Sequence, residues 1–230
     1  MELQNNVTGA PLHPIVTMPF APYYDSDGIT IYNADCRKVL PWLETVDLLL
    51  TDPPYGIGED GGSNNKRGTK QIPPTQFVSK NWDKSPPPQI YFDELMRVSK
   101  RQIIWGGNYF DLPPTRCVIA WDKCQPWENF SQWEMAWTSY SKPAALFKFD
   151  NRTGGKIHPT QKPVRLYEWI LERFATKGDK ILDTHFGSGS NGIACHNMGY
   201  ELTAYEVDSD YVTRAVNRIQ RHQIQLQLPW

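Results

Sequence analysis

Little in this chain would staple, anchor or charge it. Its four cysteines, Cys36, Cys117, Cys124 and Cys195, form no C-x-x-C pair and no metal-ligand spacing. No metal site is therefore expected, and the thiols read as the reduced cysteines of a cytoplasmic protein. No apolar run approaches the length of a membrane span, and no charged-then-apolar leader opens the sequence, so neither a transmembrane segment nor a signal peptide is read. Neither sign of charge dominates. A formal net charge of −1 excludes a globally basic nucleic-acid binder, so any such contact has to use local patches. Internal repeats and low-complexity tracts are also missing. What remains is 230 residues of ordinary soluble composition, most simply one domain with length enough for a packed core. Aromatic residues are plentiful, with nine Trp and eleven Tyr, so rings are spare for stacking.

The most informative residues are Asp52-Pro53-Pro54-Tyr55. They follow the apolar run Val46 to Leu50, which reads as a buried parallel strand. A carboxylate, two prolines and a ring thus sit where such a strand ends, and open α/β sheets bind ligands there. The cluster suits the holding of an exocyclic amine on a flat base while it attacks an electrophile. That amine is a poor nucleophile because its lone pair is delocalised into the ring. Asp52 and the Pro53 carbonyl can accept its two N–H bonds and favour a more tetrahedral nitrogen. Tyr55 offers a stacking face, and the prolines fix φ and bring carbonyls without donors. The same four residues also suit a plain strand-to-loop turn.

Around this motif the pattern predicts an α/β fold with a mostly parallel sheet. Residues 1–27 are expected to form an N-terminal arm, 28–222 the domain and 223–230 a tail. Strands are expected at Ile29–Asn33, Val46–Thr51, Gln102–Trp105, Arg116–Trp121, Glu134–Thr138, Lys180–Asp183 and Glu201–Glu206. Helices are expected over Cys36–Leu43, Tyr91–Lys100, Val164–Ala175, Asn191–Met198 and Ser209–Arg221. The stretch 56–88 reads as a long loop of the functional or disordered kind. Trp127 falls in the loop 122–133, and Trp127 and Trp133 read as core residues.

The second strong feature is Gly187-Ser188-Gly189-Ser190-Asn191-Gly192, a G-x-G-x-x-G run that follows a strand and opens a helix. Glu206 ends the next strand, near the spacing at which an acid meets ribose hydroxyls. The alternative is a tight turn with a solvated Glu206. A dinucleotide fold needs several strands after its first, and here only one follows before the chain ends. The nucleotide-binding half therefore lies late in the sequence and serves a ligand needing one mononucleotide half. S-adenosylmethionine fits, and its sulfonium methyl is an electrophile for the amine held at Asp52.

Three motifs together, DPPY at 52–55, HPTQKP at 158–163 and DTHFGSGS at 183–190, resemble the amino-methylating DNA methyltransferases of the permuted (beta) group, in which the catalytic motif precedes the cofactor motif. The resemblance covers residues 28–222 and implies a Rossmann-like S-adenosylmethionine-dependent methyltransferase fold. It implies that Asp52, Pro53, Pro54 and Tyr55 hold a flipped base for direct methyl transfer. Asp183, Phe186, Gly187, Ser188 and Gly189 would wrap the methionine part of the cofactor, and Glu206 the ribose. Asp35 and Cys36 would reach the adenine, while His158, Thr160, Gln161 and Lys162 would line the methionine end, Lys162 on its carboxylate. Plainer readings stand beside these: Asp35 as a helix cap, Cys36 as a small buried hydrophobe, His158 as an exposed loop residue, Lys162 as a solvated charge. Thr184 and His185 stand where proline and phenylalanine are common, and Ser190 where threonine is usual.

The implied partner is DNA, with Lys66, Arg67 and Lys70 of the 56–88 loop, joined by Lys80 and Lys84, as candidate phosphate contacts. The segment 122–157, where this group carries its target-recognition region, is short. An acid opening the motif is linked by resemblance to adenine N6 rather than cytosine N4, and cytosine C5 chemistry is disfavoured because no Pro-Cys occurs. RNA and protein-amide methylation are the remoter alternatives, and the resemblance allows a homodimer.

Overall fold

The computed structural model describes residues 21–61, 77–126, 131–150 and 155–227. In chain order the elements are β1 (Tyr24–Ser26), β2 (Ile29–Asn33), β3 (Val46–Thr51), α1 (Gln89–Arg97), β4 (Ser99–Trp105), β5 (Val118–Asp122), β6 (Trp133–Thr138), β7 (Ala145–Lys148), α2 (Val164–Phe174), β8 (Lys180–Asp183), α3 (Ser190–Met198), β9 (Glu201–Glu206) and α4 (Ser209–Gln227). The strands form one sheet in the order β1-β2-β9-β8-β3-β4-β6-β5-β7. Its middle, β2-β9-β8-β3-β4, is parallel throughout.

Both faces of this parallel centre are covered, which is why β3 reads as continuous leucine. Leu48 and Leu50 pack on one face with Ile103, with Leu166 and Ile170 of α2, Ile193 of α3 and Ile219 of α4. Leu49 points the other way, into a cluster with Ile104, Leu182, Tyr205 and the α1 residues Tyr91, Phe92 and Leu95. Alternation along a strand thus divides a uniformly apolar run between two cores.

The chain turns from β3 to β4 on one side, and from β8 to β9 on the other. The crevice between β3 and β8 is therefore a topological switch point, the usual place for a ligand in an open α/β sheet. These two strands pair only at Leu48–Ile181 and Leu49–Leu182. Beyond that register Asn191 of α3 takes over, donating to the Leu50 carbonyl at 3.2 Å and to the Asp183 carboxylate at 3.0 Å. A side-chain amide thus satisfies backbone that the divergence leaves unpaired.

Several expectations need correction. The helix expected over Cys36–Leu43 is two short 3-10 turns, Cys36–Lys38 and Leu40–Trp42, with Pro41 inside the second. The helix expected to reach Lys100 ends at Arg97, because Ser99 and Lys100 already belong to β4. The expected arm 1–27 overlaps β1, which pairs antiparallel with β2. Tyr24 donates to the α4 residue Gln223 at 3.0 Å, and Gln223 donates to Asp27 at 3.1 Å. The sheet therefore starts before residue 28, and α4 runs on through the expected tail to Gln227. β7 lies inside 122–157 and was not expected; it pairs parallel with β5. Trp133, read as core, is 54 % exposed, and Trp127 lies outside the described residues. Among the described residues no helix is long and apolar enough to cross a membrane.

Candidate active site

β3 delivers Asp52 to the mouth of the switch crevice. Its two carboxylate oxygens are both engaged: Tyr55 donates its hydroxyl to Oδ1 at 2.6 Å, and the Lys162 ammonium pairs with Oδ2. Lys162 is almost wholly buried. Its Nζ also lies 3.2 Å from Glu134 and 5.0 Å from the centre of the Trp105 ring. Glu134 is paired in turn with Lys123. Burial pushes the Asp52 carboxyl upward, while the Lys162 ammonium pulls it back. Desolvation would also raise Glu134, but the two ammoniums outweigh it and hold that carboxyl at about 2. Burial works against the charge on Lys162, yet Asp52 and Glu134 together keep its pKa above the ordinary lysine value. The result is a row of alternating charges, Asp52, Lys162, Glu134 and Lys123.

Topology explains the row. β6 runs antiparallel to β4 and β5, so its first residues, not its last, reach the edge where β3, β4 and β5 end. Glu134 stands opposite Trp121 there, one residue from where β5 gives way to Lys123. Neither Glu134 nor Lys123 was anticipated from sequence; a carboxylate starting a strand between two apolar positions was the available signal.

Tyr55 is held by the turn after β4. Gly106 lies against it with φ +73°, and a Cβ there would fall 2.2 Å from the ring. The same turn stacks Tyr109 on Tyr55, with centroids 5.0 Å apart. Behind Tyr55 the chain is folded by Asp83, which accepts from the backbone N–H of Gly56 at 2.7 Å and of Glu59 at 2.8 Å.

The other wall is the β8–α3 turn. Gly189 has φ +73° and precedes α3 directly, and a Cβ on it would press Ala215 of α4 at 3.0 Å. Only glycine combines that backbone with that closeness. Glu206, at the end of β9, accepts from the Gly187 N–H at 2.8 Å and the Asp208 N–H at 2.9 Å. Burial raises its carboxyl to about 7 despite these donors, and raises Asp183 to about 6. Asp183 faces inward, accepting from Asn191 and from the His185 N–H at 3.1 Å. It shapes the turn. Phe186 and Ser188 are buried in that turn. His158 is buried between Trp82 and Tyr211, with ring centroids at 5.3 and 4.4 Å, and burial lowers its pKa to about 3. It is not an exposed loop residue. Thr160 bonds back to it at 3.2 Å, and Gln161 accepts from the Ile157 N–H at 2.9 Å. His185 is likewise held neutral by burial, at about 4, with Nδ1 3.2 Å from the Tyr91 and Thr184 hydroxyls.

Other candidate residues have partners within the chain. Lys162 stands on the Asp52 side of the crevice, locked between carboxylates of this chain. Asp35, at the end of β2, caps the first 3-10 turn and binds the Arg37 guanidinium at 2.6 Å. Cys36 beside it is buried, its thiol pushed up to about 12. Lys80, a candidate phosphate contact, is paired with Asp208 at 2.7 Å and Asp210 at 2.8 Å. Lys66, Arg67 and Lys70 lie outside the described residues.

Residues 131–217 match the family described as DNA methylase, of the N6/N4 amino-methylating type. Of the curated proteins, the Type II methyltransferase M2.MboI of Moraxella bovis is 28 % identical over 77 % of this chain and 83 % of its own. Over that matched segment the chain is similar to the amino-methylating DNA methyltransferases. Among solved structures, the M1.HpyAVI–SAM complex is 21 % identical, covering 83 % of this chain and 99 % of that one, with a TM-score of 0.56. The PvuII cytosine-N4-specific DNA methyltransferase is 14 % identical, covering 89 % and 94 %, also at 0.56. At such identities these two speak for the methyltransferase fold. The match at 131–217 takes in HPTQKP, the glycine turn and Glu206, whereas Asp52–Tyr55 precedes it.

Proposed function

We propose that this methyltransferase transfers a methyl group from S-adenosylmethionine to the exocyclic N6 of adenine in DNA, acting on a base turned out of the helix. The observation that carries this reading is the meeting of Asp52 and the glycine turn across one crevice. The cofactor fits the second wall: a positive-φ turn opens α3, and a half-buried carboxylate stands at the end of the following strand. When bound, S-adenosylmethionine supplies an electrophilic methyl on a sulfonium. The residues of this chain do the rest. Asp52 and the Pro53 carbonyl accept the two amine N–H bonds and turn the nitrogen lone pair toward the methyl. The base stacks on the face of Tyr55 that Tyr109 does not cover. Asp52 stabilises the positive charge that develops on the nitrogen. The new ammonium releases its proton to water, so no base is needed and His185 stays a structural residue. Glu206 accepts from the ribose diol with lone pairs that Gly187 and Asp208 leave free.

The carboxylate at position 52 supports adenine. Cytosine N4 is the second reading, because a cytosine-N4-specific enzyme is among the structural neighbours. The test is to incubate the protein with S-adenosylmethionine and unmethylated DNA, digest the DNA and weigh its nucleosides. N6-methyldeoxyadenosine is the expected product. N4-methyldeoxycytidine would move the reading to the other base, and no methylated nucleoside in the presence of bound cofactor would overturn it.

A further inference from the structure

The proposed chemistry has an obstacle inside the site. The amine must donate to Asp52, yet Lys162 and Tyr55 already draw on each of its oxygens, so the lone pairs left for the amine are weaker acceptors. Lys162 also places a buried positive charge beside the nitrogen that is to become positive. An ammonium with one carboxylate partner could not leave it, because an unpaired buried charge is strongly disfavoured. Lys162 has two. Glu134 Oε2 is 3.2 Å from its Nζ, and Lys123 already holds Glu134 ionised through Oε1. The Trp105 ring flanks the ammonium, so its travel is short and confined to this row.

We propose that Glu134 is a positioning residue for Asp52, acting through Lys162: it takes the ammonium as the target amine arrives and so restores Asp52 Oδ2 as a full-strength acceptor for an N–H. The proposal rests on the amine-methylating reading of Asp52. It also concerns charge. Asp52, Lys162, Glu134 and Lys123 sum to zero, and neutralising Glu134 leaves the set at +1 where a cation must develop.

Glu134→Gln keeps the side chain's size and removes its charge. With Asp52 then left as the one carboxylate partner of Lys162, kcat on DNA is expected to fall at least about tenfold. Cofactor affinity should stay within about twofold, since Glu134 lies on the far side of Asp52 from the glycine turn. Glu134→Asp should recover most of the rate, which a loss of packing would not allow. A kcat within twofold of wild type in Glu134→Gln would overturn the proposal. So would no recovery in Glu134→Asp, or a fall in cofactor affinity that matches the fall in rate. The Lys162 ammonium, followed by NMR of 15N-lysine-labelled protein, gives a readout that needs no turnover. Its resonance should move in Glu134→Gln, and an unmoved resonance would also overturn the proposal. If wild type methylates no base while this resonance still moves, it is the methyl-transfer reading that has failed and not the contact.

Discussion

The two walls of the crevice are built in different ways. The β8–α3 wall is local and made of backbone: residues 183–206 supply its turn, its helix start and its carboxylate, and the decisive contacts are N–H groups bonding to Glu206 and Asp183. The Asp52 wall is assembled from afar. Tyr55, Gly106, Lys123, Glu134 and Lys162 come from five segments and meet through side-chain charge and ring contact. A backbone site can be broken only by changing its shape or the carboxylates that its N–H groups hold, and under the proposed function each change acts on cofactor binding. A charge-built site can lose its chemistry while its shape stays intact.

The predictions turn on that contrast. Asp52→Ala should have the largest effect, lowering methyl transfer by about 10³-fold or more while cofactor affinity stays within about twofold. Single-turnover rates and calorimetric titration of S-adenosylmethionine would show it, and near-normal turnover would remove Asp52 from the chemistry. Gly106→Ala should come next. It forces a Cβ into Tyr55 at a φ that L residues rarely adopt, so the ring must shift. A rate loss of about 10- to 100-fold is expected, with about 1–3 kcal/mol of stability lost to the strained backbone, both without loss of cofactor binding. Denaturant melts and kinetics together separate this from unfolding.

Glu206→Ala should show the reverse pattern. Cofactor affinity falls about 10- to 100-fold, and turnover at saturating cofactor is largely kept. An unchanged affinity would take Glu206 out of the site. The smallest effect is on pH. Glu206 is raised to about 7, so its charged, ribose-accepting form is lost below that value. Cofactor affinity should rise about fivefold between pH 6 and 7 and level off at about tenfold by pH 8, and this rise should vanish in Glu206→Gln. The unliganded protein should respond in the opposite sense. A carboxyl whose folded pKa is raised binds more protons folded than unfolded, so the share of stability that Glu206 contributes declines from the ordinary carboxylate range up to about pH 7 and is flat beyond. Thermal melts of wild type against Glu206→Gln across pH 5–8 would check it, since the difference removes the opposite slope of His158 and His185, whose pKa values burial lowers.

The same contrast explains what the sequence made legible. Hydrophobic period, a glycine turn and an acid one strand later are local signals, and they located β3, β8, α3, β9 and the crevice between them. Alternation also predicted β6 to within one residue, but not its direction, and direction is what brings Glu134 to Lys162. The run Cys36–Leu43 has the spacing of a helix, yet Pro41 lacks the N–H that a continuous α-helix would use there. β1 was hidden because three residues carry no period; only its pairing with β2, and the tie from Tyr24 to α4, reveal it. Lys162 was read from its motif either on the cofactor or as a solvated charge, and its burial between two carboxylates removes the second reading.

One consequence concerns distance. Four charges alternating in a row carry no net charge, and the field of the dipole that remains dies away faster than that of a single ion. Phosphates approaching this protein would scarcely sense Asp52, Lys162, Glu134 or Lys123, although a base amine in contact with Asp52 would sense all of them. The step at the amine should therefore be nearly indifferent to ionic strength, leaving salt to act on how DNA is gathered and not on how it is methylated.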